Sequence, residues 1–415
     1  MKQLPFDKEC IDSIKKTVPT PFYLYDEKGI KDQVRKLYRA FSWNEGFREY
    51  YAVKACPNPE ILRVLAKEGC GLDCSSYTEL MLAQAVGITG EDILFTSNAT
   101  PAEDFEYARR LNATVNLDDI THIEFLLRHG GMPETISCRF NPGGEFKIGG
   151  TIMGKPGESK FGFTLKQLFD GFVRLKDLGV RRFGLHAFLA SNMTDSDYYP
   201  SLARLLFSTA RSLNEQTGAH IGFIDMSGGI GIPYRPDEKE VDLDYVGEQV
   251  KKAYCEIFAD TSIRPRIFTE LGRYITGPCG YLVSTAIHLK ETYKHFVGID
   301  ACSANLMRPA MYGAYHHITV LGKENEPCGR VYDVTGSLCE NSDKLATDRS
   351  LPPIDRGDVL VFHDAGAHGF AMGYNYNGKL RSAEVLLRED GTFRLIRRAE
   401  TPKDYFATLD CLGLF

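Results

Sequence analysis

The feature that most constrains this chain is a unit that recurs between about Arg48 and Arg273. A short apolar, β-branched run ends in polar residues or glycine, and a stretch of helical periodicity follows. Eight such runs end at residues 50–54, 71–74, 93–97, 114–118, 136–141, 183–188, 223–228 and 267–270. Amphipathic segments lie between them, among them 59–67, 77–86, 165–178 and 200–216, and Gly69, Gly87 and Gly179 close three of the helical stretches. Eight strand–helix units in this span match a (β/α)8 barrel, whose usual size is about 250 residues. An open doubly wound sheet would use fewer strands and carry G-x-G-x-x-G after an early one, and no such motif is present.

Past Gly277 the texture changes. Residues 281–289, 296–300, 316–321, 330–334, 358–362 and 393–397 are strand-like and punctuated by proline and glycine, with no long amphipathic helix between them. The predicted fold is therefore α/β plus β: a TIM-like barrel and a second, mostly β domain of barrel or sandwich type. Residues 22–25 form a further strand candidate ahead of the barrel that could pair with the second domain.

Composition narrows the function. A chain of 415 residues with 43% hydrophobic and 25% charged content reads as an ordinary soluble protein, and its net charge of −6 argues against a general nucleic-acid binder. The longest nearly uncharged stretch, 277–289, is too short to span a membrane, and the first 26 residues show no signal-peptide pattern. Eleven scattered cysteines fit reduced thiols and a cytoplasmic location. Cys70 and Cys74 lack a second zinc-like pair and read as small buried residues. His316 and His317 are adjacent and would point to opposite faces of a strand, so no metal site is expected.

Side chains at the C-terminal strand ends of such a barrel face the active site. The inferred ends deliver Lys54, Asp73, Asn98, Asn141, His186, Ser191, Ser227 and Glu270. Lys54 follows apolar Tyr51-Ala52-Val53, and apolar surroundings would disfavour its charged form and leave a nucleophilic amine. A lysine paired with a carboxylate is the alternative. Ser227-Gly228-Gly229-Ile230-Gly231 would let backbone N–H groups approach a phosphate. Glu270-Leu271-Gly272-Arg273 adds a carboxylate and a guanidinium, or simply a structural ion pair. An amine, a phosphate cradle and a carboxylate suit a phosphorylated carbonyl ligand. Aldolase chemistry on a sugar phosphate and pyridoxal 5'-phosphate (PLP) chemistry both fit, and these residues alone leave the choice open.

Longer motifs decide it. Tyr50-Tyr51-Ala52-Val53-Lys54-Ala55, Thr269-Glu270-Leu271-Gly272-Arg273, Met307-Arg308-Pro309-Ala310-Met311-Tyr312-Gly313, Cys339-Glu340-Asn341-Ser342-Asp343, Asp364-Ala365-Gly366-Ala367 and Asn375-Tyr376-Asn377 occur in order. From about Thr20 to Phe406 the chain resembles the diaminopimelate decarboxylase branch of the fold-type III PLP-dependent decarboxylases, a family that also includes ornithine and arginine decarboxylases. The resemblance implies a barrel domain over residues 30–276 and a β domain built from 1–29 and 277–415. It implies that Lys54 holds PLP as a Schiff base and that Glu270 keeps the pyridine nitrogen protonated. Gly229, Gly272, Arg273, Ser191 and Tyr376 would hold the phosphate, and Asp73 and His186 would complete the cofactor site. Cys339 would return a proton to Cα. Arg273, Arg308, Tyr312 and Tyr376 would meet the substrate, the first three at its distal carboxylate, and Glu340 would meet its distal ammonium. The segment 339–343 would come from the partner in a homodimer.

One departure stands out. The family pattern His-x-His-x-Gly-Ser reads His186-Ala187-Phe188-Leu189-Ala190-Ser191 here, so a phenyl ring, Phe188, takes the position that stacks on the cofactor. The resemblance thus implies decarboxylation of meso-2,6-diaminopimelate to L-lysine. The alternatives are a related decarboxylase for ornithine, lysine or carboxynorspermidine, or a PLP-free regulatory homologue, against which Lys54 and Cys339 both speak. The glycine-rich loop 143–162 reads as a flap or a plain surface insertion.

Overall fold

The computed structural model describes residues 2–144 and 155–409, so the middle of the 143–162 loop lies outside the described residues. Two compact units emerge. One comprises residues 31–232 and 239–274, the other residues 1–30, 233–238 and 275–415. The hexapeptide 233–238 thus packs with the second unit although it lies within the barrel's span of sequence.

Strand β1 (Phe22–Asp26) belongs to the second unit. The next eight are β2 (Arg48–Ala52), β3 (Gly71–Cys74), β4 (Ile93–Ser97), β5 (Thr114–Leu117), β6 (Thr135–Arg139), β7 (Arg182–His186), β8 (Ile221–Asp225) and β9 (Arg266–Thr269). They close a parallel barrel in sequential order, with β9 returning to β2 where Arg48 faces Phe268. Local chemistry sets the intervening helices. Asn58 accepts the Glu60 N–H at 3.0 Å ahead of a helix that opens on Pro59, and Thr164 and Gln167 form a reciprocal cap. Within the barrel Tyr50, Phe223 and Phe268 pack together, their ring centroids 4.7 to 4.9 Å apart. Gly71 and Gly184 make room for this plug: a Cβ on either would lie within 2.5 Å of the Tyr50 or Phe223 ring. The interior is filled, and polar groups gather at the other strand ends.

The second unit adds β10 (Gly280–Glu291), β11 (His295–Ile299), β12 (Ile318–Val320), β13 (Arg330–Thr335), β14 (Lys344–Leu351), β15 (Val359–Phe362), β16 (Ala383–Leu387) and β17 (Phe393–Arg397). The sheet runs β14-β13-β11-β10-β1-β16-β17, with β15 joining β10 to β12. As expected, β1 enters this sheet, antiparallel to β10 and parallel to β16. Its Phe22 and Leu24 meet Val283, Val361 and Val385 in a core that also takes Ile11 and Ile14 from the helix Lys8–Lys15. Sequence periodicity missed that helix and two strands. Strand β14 is studded with Lys344, Asp348 and Arg349, and β16 buries Glu384, which accepts from the Tyr25 hydroxyl at 2.6 Å and pairs with Arg397. Among the described residues no helix is long and apolar enough to cross a membrane.

Candidate active site

Strand β2 ends at Ala52, and Lys54 stands one turn beyond it in the short 3-10 segment Val53–Ala55. Its amine lies 3.3 Å from Asp73 Oδ2. The apolar environment predicted from Tyr51-Ala52-Val53 is corrected here, because neighbours in sequence are not the neighbours in space. The Lys54 side chain is 49% exposed, while Asp73 is buried. Enough protein surrounds the amine for desolvation to oppose its charge, yet Asp73, Glu270 and Glu79 outweigh that and raise its pKa. The free amine is therefore an ammonium paired with a carboxylate. Burial first, and the Glu270 charge second, push Asp73 well above the usual carboxylate range.

Glu270 follows β9 directly and is buried. Its Oε2 accepts from the Ser227 hydroxyl at 2.5 Å and lies 3.2 Å from His186 Nε2 at the end of β7. Burial lowers the pKa of His186, so the imidazole is neutral near pH 7. Burial alone would raise Glu270, but the His186 N–H, the Lys54 charge and the Ser227 hydroxyl win, and its carboxyl is held below the ordinary range. Asp225, at the end of β8, is pushed well above that range by burial and by Glu270. His186, Asp225 and Glu270 could together reach one metal ion. Burial disfavours charge on both His186 and Asp225, while Glu270 is held toward its ionised form.

The glycine turn after β8 is held from three sides. The Tyr199 hydroxyl donates to Ser227 O and Gly228 O at 2.6 and 3.0 Å, and the Ser227 N–H donates to Asp225 Oδ1 at 2.7 Å. The Met193 N–H donates to Gly229 O and the Gly231 N–H to Met193 O, joining this turn to the loop that carries Ser191. Gly229 has φ +122°, and a Cβ on Gly228 would lie 2.8 Å from Glu270 O. Such a cradle excludes side chains. Gly272 likewise presses on Ala55, 2.6 Å from where its own Cβ would be.

Arg139, at the end of β6, escaped the sequence reading. It donates to Asp118 at 3.3 Å, and its guanidinium carbon lies 4.1 Å from the Phe161 ring centroid and 5.8 Å from that of Phe188. The phenyl ring at the stacking position is thus shouldered by a buried cation. Asn141 faces away from the cluster. Its amide donates to Pro156 O and Phe161 O and its Oδ1 accepts the Gly143 N–H, clasping the loop base. Asn98 and Ser191 take no part in the hydrogen-bond network around Glu270.

A second missed carboxyl is Glu49. Fully buried, it accepts from the Thr269 hydroxyl at 2.5 Å and the Leu271 N–H at 2.7 Å, pinning the turn that presents Glu270. Charged residues inside apolar strands break the sequence pattern, which is why Glu49, Asp118, Arg139 and Asp225 were passed over.

Arg273 opens the short helix Arg273–Thr276 just after β9, and the β unit holds the remaining predicted residues. Arg308 opens the helix Arg308–Tyr312, is 6% exposed, and lies with its guanidinium carbon 4.6 Å from the Tyr234 ring centroid. Tyr312 is 56% exposed and Tyr376 half exposed. Cys339 and Glu340 lie on an exposed turn, where the Cys339 N–H donates to Asn377 Oδ1 at 2.7 Å. Buried Asp343 ties that turn down by accepting the Ser303 N–H at 2.6 Å and the Leu338 N–H at 2.8 Å.

Glu270 Oε1, Asp73 Oδ1, His186 Nδ1 and Arg139 Nη2 are all buried without a hydrogen-bond partner. Unsatisfied buried groups are costly. Four of them at one barrel rim, beside a lysine and a glycine cradle, fit a polar aromatic phosphate such as PLP, whose ring nitrogen would meet Glu270.

Comparison with known proteins agrees. Residues 28–277 match the model of the pyridoxal-dependent decarboxylase, pyridoxal binding domain. The chain is 41% identical to Protein TabA of Pseudomonas amygdali pv. tabaci, covering 95% of this chain and 92% of that protein. It is 36% identical to the diaminopimelate decarboxylase of Methanothermobacter thermautotrophicus, covering 93% and 90%. The structure of M. jannaschii diaminopimelate decarboxylase in co-complex with L-lysine superposes with a TM-score of 0.90 at 30% identity, covering 97% of this chain and 94% of that one. With its barrel, its lysine and its buried Glu270 in place, this chain belongs to the pyridoxal-dependent decarboxylases, in the diaminopimelate decarboxylase branch, and is a PLP-dependent carboxy-lyase.

Proposed function

We propose that the chain decarboxylates meso-2,6-diaminopimelate to L-lysine. The observation that carries this reading is that one chain holds both the Lys54–Asp73–Glu270 cluster and the motif that bears Arg308 and Tyr312, which suits a substrate with a second carboxylate. When bound, PLP supplies an electron-accepting ring for the bond that loses carbon dioxide.

The chain's own groups do the rest. Lys54 would hold the cofactor covalently, and Asp73, 3.3 Å from its amine, would orient that nitrogen. Glu270, held toward its ionised form and with Oε1 unpartnered, would keep the ring nitrogen protonated. Backbone N–H groups around Gly229 and Gly272, with Ser191, Arg273 and Tyr376, hold the phosphate. Phe188 packs on the ring face. Arg273, Arg308 and Tyr312 receive the distal carboxylate, Glu340 the distal ammonium, and the Cys339 thiol returns a proton to the reacting carbon. Cys339 reaches the site of the partner in a homodimer, a reading supported by the exposure of Cys339, Glu340 and Tyr312 in the single chain. None of the ten described cysteines is in a disulfide, which supports a cytoplasmic setting.

The test is turnover of meso-diaminopimelate by purified protein. Stoichiometric lysine and carbon dioxide are expected. Good activity on ornithine, lysine or carboxynorspermidine with no lysine formed from diaminopimelate would overturn the substrate. Phe188 beside Arg139 is the observation that favours such a shifted substrate.

A further inference from the structure

His316 lies just before β12 and is wholly buried. Its Nδ1 is 2.8 Å from His363 O, and its Nε2 is 2.9 Å from Arg308 Nη1. A carbonyl oxygen can only accept, so Nδ1 carries the hydrogen. A guanidinium can only donate, so Nε2 offers its lone pair. Both contacts are satisfied by one state alone, the neutral Nδ1–H tautomer. A second proton on the ring would set N–H against N–H. The imidazole is itself fixed: Arg349 donates to the His316 carbonyl at 2.7 Å, and the Tyr234 ring meets the His316 ring edge-on at 5.3 Å while its face lies under Arg308. One arm of the Arg308 fork is therefore locked in direction by an acceptor whose own orientation the backbone sets. A planar fork with one N–H fixed has its other donors fixed as well.

We propose that His316 is a positioning residue for Arg308 and thereby sets the preference for substrates with a second carboxylate. The inference rests on Arg308 meeting the distal carboxylate, and it goes further by making discrimination depend on a residue that need not touch substrate.

The experiment compares wild type, His316→Phe, His316→Gln and Arg308→Gln holoenzymes. The probes are meso-diaminopimelate as substrate and D-lysine, which has the reacting centre but lacks the second carboxylate, as competitive inhibitor. His316→Phe should raise KM for meso-diaminopimelate by about tenfold to a hundredfold, the worth of a hydrogen bond to a charged group. Its kcat should fall far less, and the inhibition constant of D-lysine should stay within about twofold, well below that range. His316→Gln keeps an acceptor near the Nε2 position and should recover most of the loss. An unchanged KM in His316→Phe overturns the proposal. So does an equal loss for both probes, the sign of a general packing defect, and so does a glutamine variant as impaired as phenylalanine. Should His316→Phe fail to bind cofactor, the glutamine variant and its KM still decide. Arg308→Gln tests the underlying reading separately. If it retains discrimination, Arg308 does not meet the carboxylate; if it loses discrimination while His316→Phe retains it, only the role of His316 falls.

Discussion

The barrel rim and the turns of the β unit solve opposite problems. At the rim, Asp73, His186, Asp225 and Glu270 are all buried, and Asp73 Oδ1, His186 Nδ1 and Glu270 Oε1 are left without a hydrogen-bond partner. Removing that many ionisable groups from water is costly unless each has a partner and the protons are shared. The barrel meets part of this cost through Lys54, Ser227 and the His186–Glu270 contact, and leaves donors and acceptors open where a polar ligand would bind. In the β unit, Cys339, Glu340, Tyr312 and Tyr376 are exposed. They carry no desolvation cost, and backbone clasps set their positions: Asp343 under Leu338, Asn377 under Cys339, and a left-handed Gly313 closing the helix after Tyr312. The contrast teaches a division of labour. Groups proposed to meet the cofactor ring are buried close together, whereas Cys339, Glu340, Tyr312 and Tyr376 are held exposed.

The sharpest break in the comparison is Lys54→Ala. It should abolish the visible absorbance of the bound cofactor and lower turnover by several orders of magnitude. In wild type, borohydride reduction followed by peptide mapping should place the label on Lys54; label elsewhere would end the barrel-rim assignment. Cys339→Ala, on an open turn, should keep the coloured cofactor yet slow lysine formation by roughly 10²- to 10⁴-fold, the usual worth of a general acid. Mixing the two inactive variants should restore part of the activity if the thiol serves the partner's site. Persistent inactivity after verified subunit exchange would count against sharing.

A smaller effect is expected at Phe188→His. An imidazole there would stand beside Arg139, whose charge disfavours its protonation. Steady-state constants for meso-diaminopimelate should move by less than about tenfold, in line with the roughly 0.5–1.5 kcal/mol of a ring-face contact. A larger gain would show that the phenyl ring had shifted the substrate.

The smallest effect concerns stability. Burial raises the pKa of Glu49 well above the ordinary value. Once pH exceeds that ordinary value, the unfolded chain releases this proton while the folded one keeps it. Stability therefore falls with rising pH. Glu49→Gln can still accept from Leu271 and bond to Thr269, and it should flatten the decline in Tm between about pH 5 and about pH 8. Parallel Tm curves for the two proteins would show that Glu49 is not protonated in the fold.

Much of this was legible in the chain because it depends on local pattern. All eight barrel strands and most strands of the sheet were placed, since β-branched runs and glycine stops report backbone preference directly. Lys54, Phe188, Ser227 and Glu270 stand just past their strands, where the ladder ends and side chains are free to turn inward. Glu49, Asp118 and Arg139 were not legible, because a charge within an apolar run looks like an interruption until its partner on another strand is seen.

Sequence by itself determined the eight-fold βα rhythm, the β-rich second half and the order of the motifs, because 2.0- and 3.6-residue periods and glycine φ preferences act over short stretches of chain. Only tertiary structure decided the partner of Lys54, the raised proton affinity of Asp225 and the tautomer of His316. Protonation depends on which groups lie within a few ångströms and how much water is excluded, and those neighbours are scores of residues away along the chain.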